Sequence, residues 1–238
     1  MNIALILAAG TGSRMGNADK PKQFLLVQGK PLMVHTIEVF DVNPNIDKIV
    51  ISTNEEYLEE VKLMVKQYDL TKVANVVAGG ATRQISVYNG LQAVKNIASS
   101  NDDVILIHDA ARPLISQRII SDNIVVCKEY GAVDTVIKAS DTIVRSKDEQ
   151  SISDIPLRKE LYQGQTPQTF KLSIILDAHE HAIKNNLPDV TDDAKLVLSL
   201  GKEVRLVEGS KQNFKITTFD DLMMLKALLK IGKTEVIL

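Results

Sequence analysis

The chain has 238 residues, 45% of them hydrophobic and 24% charged, with a formal net charge of -2 at pH 7. That is ordinary globular composition with ample length for a core, and its near-neutral balance excludes broad electrostatic binding to nucleic acid or to an anionic membrane, so phosphate recognition has to be local. A single cysteine, Cys127, excludes an internal disulfide, and with no apolar run of membrane-spanning length and no secretory leader pattern a cytoplasmic protein is expected.

The first apolar run, Ile3 to Leu7, has the length and composition of a buried strand. It runs into A-A-G-T-G-S-R-M-G (Ala8 to Gly16) and then K-P-K-Q-F (Lys20 to Phe24). Gly10, Gly12 and Gly16 let backbone N–H groups face an anion without a Cβ in the way. Arg14, Lys20 and Lys22 add the charge that a polyphosphate needs. The combination predicts a nucleoside triphosphate site. Neither common glycine fingerprint fits: no Gly-Lys-Ser/Thr follows, and the third glycine of the dinucleotide motif would fall on Met15. The bland alternative is a glycine-rich strand-to-helix turn, and the cations count against it.

Strands are predicted at 3–8, 47–53, 74–78, 103–108 and 133–137, with another near 203–207; helices are predicted at 32–42, 55–67, 83–98 and 116–129. Such alternation implies an α/β fold, a Rossmann-like, mainly parallel sheet with helices on both faces, built as one domain over 1–238. Ligands bind beyond the carboxyl ends of strands in such sheets, which brings together loops 9–23, 79–86 and 109–113. Between about 138 and 160 the rhythm breaks. D-T-I-V (Asp141 to Val144) and S-D-I-P (Ser153 to Pro156), joined by S-K-D-E-Q-S (Ser146 to Ser151), predict two strands and a turn. That hairpin is too poor in apolar residues to stand alone. A protruding β-arm used in dimerisation is expected, the alternative being a flap over its own chain.

Further motifs carry chemistry. In G-G-A-T-R-Q-I-S-V (Gly79 to Val87), two glycines permit close approach and a helix begins near Thr82 with its N-terminus toward the pocket. Ser86, one turn on, is a candidate partner for a base or ribose. I-L-I-H-D-A-A-R-P (Ile105 to Pro113) sets Asp109 at the ligand-facing end of a buried strand, where a carboxylate calls for a cation. Mg²⁺ accompanying a triphosphate is the natural one; a helix cap for Asp109 and a surface ion pair for Arg112 are the plainer alternatives. His108 reads as a packing residue. L-Y-Q-G-Q-T-P-Q-T-F (Leu161 to Phe170), preceded by Arg158, is expected against the sheet near the pocket. In V-T-D-D-A (Val190 to Ala194), Thr191 reads as a helix cap before Asp192 and Asp193. G-S-K-Q-N-F-K-I-T-T (Gly209 to Thr218) places Lys215 in a short strand segment before a helix.

Taken in order from about Ile3 to Leu225, these motifs resemble the cytidylyltransferases that join CTP to a sugar-alcohol phosphate, a family that includes the methylerythritol-phosphate and ribitol-phosphate enzymes. The resemblance implies that Ala8, Ala9, Gly10, Thr11 and Gly12 surround the CTP phosphates and ribose. It implies that Arg14 and Lys22 neutralise the triphosphate in the transition state, with Lys215 near the α-phosphate. Gly80 and Ser86 match positions that recognise cytosine and its ribose. Asp109 matches the Mg²⁺-binding aspartate, with Arg112 beside it. Thr142 and Arg158 match contacts to the acceptor phosphate that cross a homodimer through the arm. An acceptor phosphate is already nucleophilic at neutral pH, so no Ser, Cys or His nucleophile is needed, and catalysis reduces to positioning and charge neutralisation by Arg14, Lys22, Lys215 and Mg²⁺.

The first-half motifs and V-T-D-D-A look closer to the methylerythritol enzymes. A-V-D-T-V-I (Ala132 to Ile137), D-T-I-V, I-P-L-R (Ile155 to Arg158), Y-Q-G-Q-T-P-Q-T-F and the absence of Trp resemble the ribitol enzymes. Because the arm contacts the acceptor, ribitol 5-phosphate is the expected acceptor and methylerythritol 4-phosphate the alternative. A catalytically inert nucleotide-binding regulator is a reading of a different class, and the joint presence of Arg14, Lys22, Asp109 and Lys215 argues against it.

Overall fold

A computed structural model describes residues 1–10, 20–187 and 189–235. Strand β1 (Asn2–Ala8) is followed, after a single 3-10 turn at Lys22–Phe24, by a two-residue ribbon of β2 (Leu26–Val27) and β3 (Lys30–Pro31). Then come α1 (Leu32–Asp41), β4 (Lys48–Thr53), α2 (Leu58–Gln67), β5 (Val73–Ala78), α3 (Arg83–Lys95), β6 (Val104–Asp109), α4 (Gln117–Tyr130) and β7 (Ala132–Lys138). After the arm, β8 (Tyr162–Lys171), α5 (Leu172–Lys184), α6 (Asp193–Ser199), β9 (Arg205–Glu208) and α7 (Phe219–Glu235) complete the fold. The main sheet runs β5-β4-β1-β6-β8-β7-β9. Strands β5, β4, β1 and β6 are parallel, β8 is antiparallel to both β6 and β7, and β9 is parallel to β7.

Alternation along β1 splits its apolar residues between two cores, since successive side chains of a strand point to opposite faces. Ala4 and Ile6 join Leu106, Phe40 and Ile120 on one face, while Ile3 and Leu5 join Ile105, Leu91 and Ile175 on the other. Residues Ile3 to Ile6 are fully buried, as expected of a strand covered on both sides. Gly90 lets α3 lie close on β1: a Cβ there would come 2.5 Å from Leu5 Cδ1. Thr82 caps α3 and Ser116 caps α4, each accepting from a backbone N–H three residues on. Gly131, at φ +88°, ends α4 in the left-handed conformation that glycine adopts without penalty.

From β1 the chain moves outward to β4 and β5, then returns to β6 on the other side of β1. That reversal opens a crevice above the carboxyl ends of β1 and β6, where ligands bind in open α/β sheets. The predicted strands agree with the observed ones to within two residues, and helix α3 ends at Lys95 rather than at 98.

Four expectations need correction. The polar motif 162–170 is itself strand β8, in the middle of the sheet, and α5 follows it. From Gln165 onward its polar side chains are buried but bonded: Gln165 donates to the Ser210 carbonyl at 2.8 Å, Gln168 to Asp134 at 3.0 Å, and Thr169 to Asn123 at 3.0 Å. The arm, residues 139–161, forms one backbone bridge between Arg145 and Asp154 instead of two strands. Its turn is held by Asp148, which accepts from the Gln150 and Ser151 amides, while the flanking tetrapeptides have no third strand to extend a ladder. The segment carrying Lys215 is irregular, fastened by Ile216 N–H to the Ala111 carbonyl. Finally, Asp192 and not Thr191 caps α6, accepting from Lys195 N at 3.3 Å.

Candidate active site

The crevice at the strand reversal is a cleft of about 340 Å³. Its walls are Leu7 to Gly10, Lys22 and Gln23, Gly80 to Arg83 with Ser86, Asp109 to Ala111, and Lys215 with Thr217. Gln23 fastens the loop after β1, donating to the carbonyls of Ala8 at 2.6 Å and Gly10 at 2.9 Å. Lys22 reaches across to the Ile216 carbonyl at 2.7 Å, joining the first loop to the 209–218 segment.

Asp109 is the charge centre. It ends β6, with Lys215 Nζ 3.0 Å and Arg112 Nε 3.4 Å from its Oδ2. Burial alone would push its carboxyl up, but the charges of Lys215, Arg83 and Arg112 outweigh that and hold it well below the usual carboxylate range. Asp109 caps no helix, because the next one starts at Gln117 behind Ser116. Nor is Arg112 a surface pair: its side chain is 11% exposed and also donates to the Asn213 carbonyl at 2.8 Å.

His108 supports this carboxylate from behind. Its Nε2 lies 3.2 Å from the Arg112 carbonyl, and its Nδ1 lies 3.0 Å from Thr166 Oγ1, which accepts from Asp109 N–H at 3.1 Å. A carbonyl can only accept, so the network assigns the proton to Nε2 and lets Thr166 donate to Nδ1. Complete burial pulls the His108 pKa down to about 4, which keeps the ring neutral and structural.

The opposite wall is the start of α3. Ser86 Oγ accepts from Gly80 N–H at 3.0 Å and lies 2.8 Å from the Thr82 carbonyl, stapling the 80–82 loop over the helix N-terminus. Gly79 is where the two loops meet: a Cβ there would sit 2.6 Å from Ala9 Cβ. Thus Ala8, Ala9, Gly10, Lys22, Gly80, Ser86, Asp109 and Lys215 converge on one cleft, with Arg112 directly behind. Thr11, Gly12 and Arg14 lie outside the described residues. Thr142 and Arg158 are exposed on the arm and do not line the cleft; Arg158 donates to the Ser140 carbonyl at 3.3 Å.

Residues 2–231 match the sequence model of IspD, 2-C-methyl-D-erythritol 4-phosphate cytidylyltransferase. The chain belongs to this family. Among similar solved structures is the 4-diphosphocytidyl-2C-methyl-D-erythritol synthase of Anaerococcus prevotii, at 26% identity and a TM-score of 0.83, covering 97% of this chain and 96% of that one. The Thermus thermophilus 2-C-methyl-D-erythritol 4-phosphate cytidylyltransferase matches at 29% identity and a TM-score of 0.77 over 97% and 100%. The Francisella tularensis enzyme matches at 31% and 0.76 over 94% and 98%. The chain is therefore a nucleotidyltransferase, a CTP-dependent cytidylyltransferase of the IspD type. These matches favour methylerythritol 4-phosphate over the ribitol 5-phosphate that the arm motifs had suggested. No helix among the described residues is long and apolar enough to cross a membrane.

Several residues of this IspD-type cleft escape sequence reasoning. Gln23, Thr166 and Asn213 act through side chains that bond distant backbone, and no spacing rule marks them. Arg83 lines the cleft at the first turn of α3 and pairs with Asp193 Oδ2 at 2.7 Å. The signal is a cation three residues after the Gly79-Gly80 pair, which the motif reading leaves without a role.

Behind Asp193 the buried network continues to Asp134, whose Oδ1 accepts from Gln168. Burial pushes the Asp134 carboxyl up to about 7; the Gln168 bond opposes this, and the nearby Asp192 and Asp193 charges add to it. Between about pH 4 and 7 the unfolded chain ionises this group while the folded chain keeps it protonated, so its contribution to stability falls as pH rises. Asp134→Asn should therefore raise the urea midpoint relative to the parent chain by an amount that grows from about pH 4 to pH 7 and then levels. A difference independent of pH across that range would refute the shift.

Proposed function

We propose that the enzyme transfers CMP from CTP to 2-C-methyl-D-erythritol 4-phosphate, releasing pyrophosphate. The observation that carries this reading is the match to that family over residues 2–231, together with a cleft at the strand reversal lined by Lys22, Asp109 and Lys215. An oxygen of the acceptor phosphate attacks the α-phosphorus in line as the bond to the β-phosphate oxygen breaks. No covalent enzyme intermediate is required. The first loop, from Ala8 through Gly12, cradles the phosphates and ribose, and the Gly80–Ser86 turn receives the cytidine. Lys22 and Lys215, with Arg14, offset the charge that builds on the α-phosphate and on the leaving pyrophosphate. The ion pair to Asp109 holds Lys215 in place.

Mg²⁺ suits this arrangement. Both cations near Asp109 bond its Oδ2, and Oδ1 has no partner among the described residues. Mg²⁺ characteristically takes one or two carboxylates and completes its shell with phosphate oxygens and water. Among the described residues no group of three or more His, Cys, Asp or Glu could hold a metal by itself. Bound between Asp109 and the triphosphate, the ion would supply further charge neutralisation.

The arm supports a homodimer. Val144, Ile152, Ile155 and Leu157 on it are each at least 49% exposed, which is costly surface to leave in water. In this reading Thr142 and Arg158 reach the acceptor phosphate in the neighbouring subunit.

Pyrophosphate release from CTP, measured with the two acceptors side by side, should give a kcat/KM at least about tenfold higher for methylerythritol 4-phosphate than for ribitol 5-phosphate. The reverse order would make this a ribitol enzyme. Asp109→Asn should lower kcat by about 10²-fold and move the Mg²⁺ activation curve to higher concentration, since the amide loses the charge that holds a hard dication; an unmoved curve removes Asp109 from metal binding. Arg158→Ala should raise KM for the acceptor far more than for CTP. Mixing it with Lys22→Ala should then restore activity through mixed dimers carrying one intact composite site. Mixed dimers that exchange subunits yet stay inactive would return the arm to its own chain.

A further inference from the structure

Three consecutive residues at the start of α3 all grip one short segment far along the chain. Thr82 Oγ1 donates to Asp189 Oδ1 at 2.9 Å, Arg83 Nη1 pairs with Asp193 Oδ2 at 2.7 Å, and Gln84 Oε1 accepts from Val190 N–H at 2.9 Å. Asp193 is itself fixed from two other sides. Its N–H donates to Gln168 Oε1 at 3.0 Å, and its Oδ1 meets His179 Nε2 at 3.1 Å. The Asp193 side chain is 1% exposed and that of His179 is fully buried, whereas the Arg83 side chain is 22% exposed and lines the cleft.

A buried ion pair is weak evidence for stability, because apolar residues of similar volume commonly do as well. What the pair accomplishes here is to hold one edge of a guanidinium still at the wall of an anion-binding cleft. Arginine carries five N–H donors in a rigid fork. Asp193 lies against Nη1 as an ion pair, and the same side chain lines the cleft. The same guanidinium sits at the N-terminal end of a 13-residue helix, where the backbone dipoles favour negative charge. Its field also reaches Asp109, the charge centre of the cleft.

We propose that Arg83 is a further nucleotide-binding residue, a fixed cation for a phosphate oxygen of CTP, and that Asp193 and His179 are the positioning residues that clamp it. This deepens the cytidylyltransferase reading and rests on it. Arg83 differs in kind from Lys22 and Lys215. Those lysines are point charges on flexible stems, while Arg83 is set before substrate arrives, so little side-chain freedom is lost on binding.

The test separates positioning from packing. Arg83→Met/Asp193→Leu replaces the buried pair by apolar residues of similar volume, and Arg83→Lys keeps the charge but loses the fork. Each is compared with the parent chain for Tm, for kcat and KM toward both substrates, and for the Kd of CTP by calorimetry with Mg²⁺ present. The expected result for the double variant is a modest fall in Tm, since His179 Nε2 loses its partner, with CTP affinity weakened about tenfold or more and kcat/KM for CTP down about 10²-fold. Arg83→Lys should keep its Tm and lose at least about tenfold in kcat/KM for CTP. If the double variant fails to fold, Arg83→Lys alone decides. CTP affinity and kcat/KM within threefold of the parent in a folded variant would overturn the proposal. So would an effect confined to KM for the acceptor, which would move Arg83 away from the nucleotide. Should the parent chain bind CTP but turn over neither acceptor, the acceptor reading fails on that result, and the calorimetric comparison still decides Arg83.

Discussion

One ionised carboxylate organises this molecule's chemistry. Asp109 is buried at the end of β6, and ions there survive only when paired and hydrogen-bonded. Its partners come from different parts of the chain: Lys215 from the 209–218 segment, Arg112 from the following loop, and the field of Arg83 from α3. Without that carboxylate, three cations would repel one another across a small cleft. With it, the segments that carry them are drawn to the crevice that strand order had already opened. His108, kept neutral by burial, and Thr166 then orient the backbone on which Asp109 sits.

The balance of charge around this centre bears on what it can receive. Among the described residues Lys22, Lys215 and Arg83 line the cleft with Arg112 behind, four cations against the carboxylates of Asp109 and Asp193. A triphosphate carries more negative charge than that surplus, and a dication shared with Asp109 narrows the difference. Concentrating this charge in one crevice is how a chain of net charge -2 can still recognise polyphosphate.

The parts legible in the sequence are those governed by local pattern. Ile3 to Leu7 reads as a strand because its residues are apolar throughout, and Gly10, Lys22 and Asp109 read as site residues because they follow an apolar strand or a glycine loop, whereas Lys215 is marked only by the family resemblance. Strand β8 does not read as a strand, since Gln165, Thr166, Gln168 and Thr169 are buried through bonds to Ser210, Asp109, Asp134 and Asn123. Those partners lie far away in sequence, and period-two alternation of apolar residues never appears. Arg83 is hidden for the same reason: its meaning comes from Asp193, 110 positions away by subtraction of the two residue numbers.

The conflict over the acceptor has a physical source in where the two sets of motifs lie. The described parts of the loops after β1, β5 and β6 are tied to the core, with Gln23 bonding the Ala8 and Gly10 carbonyls and Gly79 lying against Ala9, so those residues are constrained jointly by folding and by ligand. The arm makes one backbone bridge of its own and exposes most of its apolar side chains. Within the described residues D-T-I-V and I-P-L-R are tied by little beyond the neighbouring Arg145–Asp154 bridge and the Arg158 bond to the Ser140 carbonyl, so the core sets few limits on their residues. Short likenesses there weigh less than a match that runs through the core from residue 2 to residue 231. The acceptor reading therefore rests on the family of the whole fold rather than on the arm's own sequence.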